Sequence, residues 1–132
     1  MNITKLSRNR MMVAATRWTV AREYFDPLYN YLVHGFAPGS FWTAAISNDF
    51  MGAIGSSHPA NDITHLKNVV GWIREDWPDL AWGSYDNYRA WMDLSSQQRR
   101  TMLERRGLIY TEQEEIMLGL KGEQPAPEPI LW

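Results

Sequence analysis

Asn48 and Asp49 stand side by side near the middle of an otherwise apolar segment, Phe41 to Ile54. A carboxylate and an amide buried without partners cost several kcal/mol each, about 2–7 for a neutral group and more for a charge. The fold must therefore answer them, or they face a site. As chemistry, the amide can bind a ligand's polar groups, and Asp49 can act as a base with His34 nearby. As structure, the pair can bond the buried ends of neighbouring helices, such as the turn Trp82-Gly83-Ser84. The Pro38-Gly39-Ser40 start of the same segment offers free backbone N–H groups and a hydroxyl, a generic anion or phosphate site, or simply a helix cap at Ser40.

Other chemistries are thinly represented. His34, His58 and His65 come without cysteine and without HExxH spacing, so no metal site is expected. Gly35, Gly39, Gly52 and Gly55 fit neither phosphate-loop pattern, and no GxSxG elbow is present. No cofactor is implied. The absence of cysteine removes disulfides and thiolate nucleophiles, which agrees with a cytoplasmic setting. No apolar run is long enough for a membrane span, and Met11 to Ala15 is too short for a secretory signal.

The elements that must position these residues read as helices. With 132 residues the chain fits one domain. Asp26-Pro27 predicts the N-terminus of a short helix that stops at Gly35. Upstream, Ala14 to Phe25 allows a strand through Trp18, Val20 and Tyr24-Phe25, but its Ala, Arg and Glu content favours helix. Ser40 predicts the cap of a central helix at about 41–54, buried on most sides. Asn61 or Asp62 predicts the start of a helix to about Asp76, with Ile63, Leu66, Val70, Ile73 and Trp77 inward. Trp72 falls off that stripe and is expected to be exposed or at a contact.

Ser84 predicts the cap of a helix carrying Tyr85, Tyr88, Trp91 and Met92. Ser95 with Gln98 and Thr111 with Glu114 predict two capping boxes, opening helices at about 96–106 and 112–120. The expectation is an all-α, compact bundle of about five to six short helices around the buried central helix. Its parts are a basic N-terminal arm over 1–12, a helical domain over 13–121 and an extended Pro-rich tail over 122–132.

Charge is uneven. Residues 1–22 carry Lys5, Arg8, Arg10, Arg17 and Arg22 without one acidic residue, whereas the rest holds 15 acidic and 8 basic residues. The basic arm can touch nucleic acid or an acidic partner, fold back onto the acidic body, or remain a solvated tail. No nucleic-acid-binding motif accompanies it, so nucleic acid is not the favoured partner.

From Tyr31 to Met92 the chain resembles a widespread set of small phage and prophage proteins. Their pattern is roughly Gly-x-x-Pro-Gly-x-Phe-Leu-x-Ala, then Asn-Asp-Leu, a polar turn, an aromatic helix and Trp-Gly-Ser. The pieces here are Tyr31-Leu32, Gly35, Pro38-Gly39-Ser40-Phe41, Ala44-Ala45-Ile46, Asn48-Asp49-Phe50, Ala53, Asn61-Asp62, Trp82-Gly83-Ser84 and Trp91. Trp42 and Phe50 replace leucines of that pattern, and the Arg99 to Leu120 helices and the tail look like additions. The resemblance implies a phage-type origin and a compact helical core, and it transfers no activity. It also implies that Pro38 to Ser40, Asn48-Asp49 and Trp82 to Ser84 form one cluster.

The function expected is non-catalytic binding by a phage-type accessory protein that interferes with a host defence system in the host-cell cytoplasm. It would bind a host protein or sequester a small nucleotide-like signal through Gly39, Ser40, Asn48, Asp49, Trp82 and Ser84. Trp72 and Trp132 would lie at a partner interface, in a homo-oligomer. Seven tryptophans and six tyrosines support a binding surface as well as a core. Two alternatives remain: a small hydrolase or transferase using Asp49 with a histidine, and a nucleic-acid accessory protein using the basic arm.

Overall fold

In the computed structural model, residues 3–56 and 63–120 are described, and they form eight α-helices with no strand among them. The N-terminal basic segment is the first of these, α1 (Lys5–Arg17), opened by Thr4, whose hydroxyl accepts from the Ser7 N–H. Ser7, Met11 and Ala15 recur every four residues and are all buried, so one face of α1 belongs to the core. The described part of the expected arm is thus packed into the domain. Arg8 reaches Asp26 at 2.7 Å and lies over the Tyr29 ring at 4.7 Å, which ties the basic segment to α2.

Helix α1 stops where Thr19 takes the left-handed conformation, φ 58°. The chain then enters α2 (Arg22–His34), which starts one turn before the Asp26-Pro27 pair expected to open it. Arg22 and Glu23 are good helix formers, and Pro27 sacrifices only one backbone bond near the start. Asp26 spends its carboxylate on Arg8 rather than on a cap. Gly35, φ 70°, ends α2, and a Cβ there would lie 2.8 Å from the Arg99 guanidinium.

The segment expected as one buried central helix is two: α3 (Ser40–Ile46) and α4 (Phe50–Ser56). Gly39 occupies the cap position of α3, with Ser40 as the first helical residue and no side-chain cap bond. Asn48, φ 63°, turns the chain left-handed, and the Asp49 N–H closes the turn on the Ala44 carbonyl at 2.8 Å. Asn is among the few side chains that tolerate this conformation. Ala53 is buried on α4, but Phe50, Met51 and Ile54 are exposed.

Helix α5 (Ile63–Asp76) turns Val69, Trp72 and Ile73 inward, and Trp77 follows at its end. Trp72 is therefore a core residue with no exposed surface, not an interface residue. Its large ring stands edge-on to Trp77 at 5.3 Å and near-parallel to Phe25 at 6.4 Å, which rotates the inward face away from Val70. A 3-10 turn, Asp79–Ala81, leads to α6 (Tyr85–Asp93). Tyr31 donates to the Ala81 carbonyl at 2.8 Å, and Trp91 donates to the Tyr31 carbonyl at 3.2 Å.

Helix α7 (Ser96–Arg105) opens on the expected capping box, with both Ser95 and Gln98 bonds formed. Thr111 and Glu114 make the same reciprocal pair at the start of α8 (Glu112–Leu120). The core gathers α1, α2, α3, α5, α6 and α7 around Phe25, Tyr31, Trp72, Trp77 and Trp91. No helix among the described residues is long and apolar enough to cross a membrane. The caps proposed at Asn61 and Asp62, the histidine His58, and the Pro-rich tail with Trp132 lie outside the described residues.

Candidate functional site

The break between α3 and α4 folds α4 back beside α3 and leaves a shallow cleft of about 440 Å³. Gly39, Ser40, Thr43 and Ala44 form one wall, Gly52 and Ser56 of α4 a second, with Ala37 and Tyr85 at the edges. Ser40 and Thr43 lie three residues apart and so share a helix face. Thr43 exchanges a hydrogen bond with the Tyr88 hydroxyl at 3.0 Å, which fixes α3 against α6.

Asp49 sits immediately before α4 and is held by two donors. The Gly52 N–H reaches Oδ1 at 2.9 Å, and the Tyr85 hydroxyl reaches Oδ2 at 2.6 Å. The first bond is that of a helix cap. The second is charge-assisted and couples α4 to α6. The Tyr85 bond, then the Gly52 bond, hold the Asp49 carboxyl below its ordinary range. The same bond to Asp49 pushes the Tyr85 phenol up. At neutral pH this is a carboxylate with both oxygens engaged, a poor general base.

The six residues expected to bind a ligand divide. Gly39 and Ser40 line the cleft, and Asp49 borders it through Tyr85. Ser84 accepts from the Asn87 N–H at 3.0 Å as the cap of α6, and so sets where Tyr85 points. Trp82 is half-buried against the core and its carbonyl accepts from the Asn87 amide at 2.9 Å, so it supports the turn rather than lining the cleft. Asn48 is exposed and shapes the chain instead of lining the cleft. The turn after α5 does meet the end of α3, because the Gly83 N–H donates to the Ile46 carbonyl at 2.8 Å. Thr43, Tyr85 and Ser56 were not singled out. The Ser84 cap places Tyr85 at the first helical position, and the three-residue step from Ser40 places Thr43, so both signals were present.

Neither described histidine meets Asp49. His34 lies at the end of α2, stacked on Phe36 at 5.3 Å, with burial foremost in lowering its pKa. His65 meets the Tyr24 hydroxyl at 3.2 Å. Among the described residues, no group of three or more His, Asp or Glu side chains is placed to share a metal ion.

Helix α4 presents a different surface on its outer side. At about 100° per residue, Phe50, Ile54 and Met51 fan outward while Gly52 and Ser56 turn to the cleft and Ala53 to the core. Met51 is 79% exposed and Phe50 63%. Comparison with known proteins finds no match to this chain, whether among family models, curated proteins or solved structures.

Proposed function

We propose that this chain is a non-catalytic binding protein of the phage accessory type, which acts by occupying a surface of a host defence protein with its α3–α4 face. One observation carries the reading. Phe50, Met51 and Ile54 stand outward together on one short helix, and adjoining large apolar side chains in water favour a partner that covers them. The cleft on the other side of α4 carries hydroxyls and, at its border, the held Asp49 carboxylate.

A nucleotide-like ligand in the cleft is the second reading, favoured by the Ser40 and Thr43 hydroxyls beside the Tyr85 ring. The ionised Asp49 at its border opposes bound phosphate. One pair of experiments separates the two. Immobilised wild-type protein and Met51→Glu are exposed to host lysate, and a host protein held only by the wild type supports the surface reading. Equal retention by both, or none, defeats it. Melting with a panel of cyclic and linear nucleotides tests the cleft, where tight binding raises the midpoint by about several degrees.

A further inference from the structure

A second depression, about 720 Å³, runs along the outer face of α1 on the side away from the core and involves none of the residues of the proposed binding face. Leu6, Arg10, Val13 and Arg17 line it at steps of four, three and four residues, which puts them on one stripe of the helix. Tyr110 closes the side, with the Arg10 guanidinium over its ring at 4.5 Å. Val13 is half exposed, and Arg17 has no ion pair among the described residues. Asn9 also lines the depression.

This stripe suits an occupant with carboxylates for Arg10 and Arg17 and an apolar or aromatic part for Leu6, Val13 and Tyr110. A second copy of α1 does not supply it, since α1 carries no acidic residue and would oppose cation to cation. The chain's own residues 122–132 do. They carry Glu123 and Glu128, end in Ile130, Leu131 and Trp132, and include no cation.

Reach is sufficient. Glu115 of α8 is bonded to Thr4 and Ser7 at the start of α1. The last described residue, Leu120, lies five residues on, about 8 Å along the helix axis. The depression extends from Leu6 to Arg17, about 16 Å of helix. Twelve further residues follow Leu120, and at the polyproline rise they span up to about 37 Å.

We propose that the acidic Pro-rich segment 122–132 docks in cis on the Leu6–Arg10–Val13–Arg17 stripe of α1, against Tyr110. Its two carboxylates offset the charge of Arg10 and Arg17 on the same molecule.

The chain has no cysteine, so Ala126→Cys creates a unique attachment point for a nitroxide. In the uniformly ¹⁵N-labelled full chain, the amide signals of Leu6, Arg10, Val13, Arg17 and Tyr110 should broaden beyond detection while those of α4 persist. Reduction of the nitroxide should restore them. Arg10→Glu combined with Arg17→Glu should restore them without reduction, and the exposed Arg17→Glu alone serves if the double variant fails to fold. Groove signals that never broaden, or that stay broadened after charge reversal, overturn the proposal. Spin-labelled ¹⁴N chain mixed with unlabelled ¹⁵N chain should leave the groove signals intact. Broadening there means that the segment comes from a second copy, and the cis arrangement is wrong.

Discussion

Asp49 illustrates how a polar residue in an apolar stretch is explained by punctuation before it is explained by function. Its Oδ1 caps α4 and its Oδ2 takes the Tyr85 hydroxyl. A Cβ at Gly52 would lie 2.3 Å from Oδ2, so a side chain there would displace this carboxylate from its bonds. Tyr85→Phe should move the Asp49 titration midpoint up toward the ordinary 3.8, read from the carboxyl ¹³C shift. A midpoint that does not move would mean that the phenol gives the carboxylate nothing. Trp72 makes the opposite point, since a residue expected at a surface is a pillar of the core. Trp72→Ala should cost about 3–5 kcal/mol in urea unfolding, the range for emptying a large core site. Met51→Ser should leave the urea midpoint nearly unchanged. A small loss for Trp72→Ala would return that side chain to the surface.

Helix boundaries in this chain are set by short-range chemistry where they were legible and by backbone conformation where they were not. The Ser84 cap, the boxes at Ser95–Gln98 and Thr111–Glu114, and the stop at Gly35 appear as read, because each is a local bond between residues a few positions apart. The division of 41–54 was missed, since periodicity does not distinguish one helix from two that share its apolar composition. Its sign was nonetheless in view: an Asn able to turn left-handed, followed by an Asp able to cap. Thr19 gave no such sign, because a β-branched residue at φ 58° is unfavourable on its own account. Thr19→Gly should therefore stabilise the protein by about 1 kcal/mol, by relief of that strain. Chemical unfolding checks it, and destabilisation would mean that the Thr19 side chain makes a contact worth more than the strain. Sequence reasoning also placed the candidate site only in part. Gly39, Ser40 and Asp49 come together, whereas Asn48, Trp82 and Ser84 shape the turns around them.

At the scale of the molecule, the two ends of the described chain are joined by one buried polar network. Glu115 Oε2 accepts from the Thr4 hydroxyl at 2.5 Å and the Ser7 hydroxyl at 2.6 Å, while Oε1 meets Arg100 at 2.6 Å. Arg100 also reaches Glu104 at 3.0 Å and the Tyr110 carbonyl at 3.2 Å, with Glu112 at 3.5 Å. Nothing local announces a pairing across more than a hundred residues, so it was not legible beforehand. The network matters because α8 leaves Ile116 and Met117 57% and 43% exposed, so apolar packing contributes little to holding it. Burial alone would push the Glu115 carboxyl up, but the bonds from Ser7 and Thr4, with Arg100, outweigh it and hold the group below its ordinary 4.5. The folded protein therefore binds this proton less tightly than the unfolded chain. The stabilisation is whole above pH 4.5 and is withdrawn as the pH falls below it through the lower folded value. Amide exchange in α8 should accelerate across that acidic window before exchange in α2 or α5 does. Glu115→Gln should cost about 2–4 kcal/mol at neutral pH, because it leaves the buried Arg100 short of its closest partner. It should also remove the extra acid sensitivity of α8. If α8 and α2 instead open together at every pH in the wild type, the Glu115 clamp is not what fastens the last helix to the first.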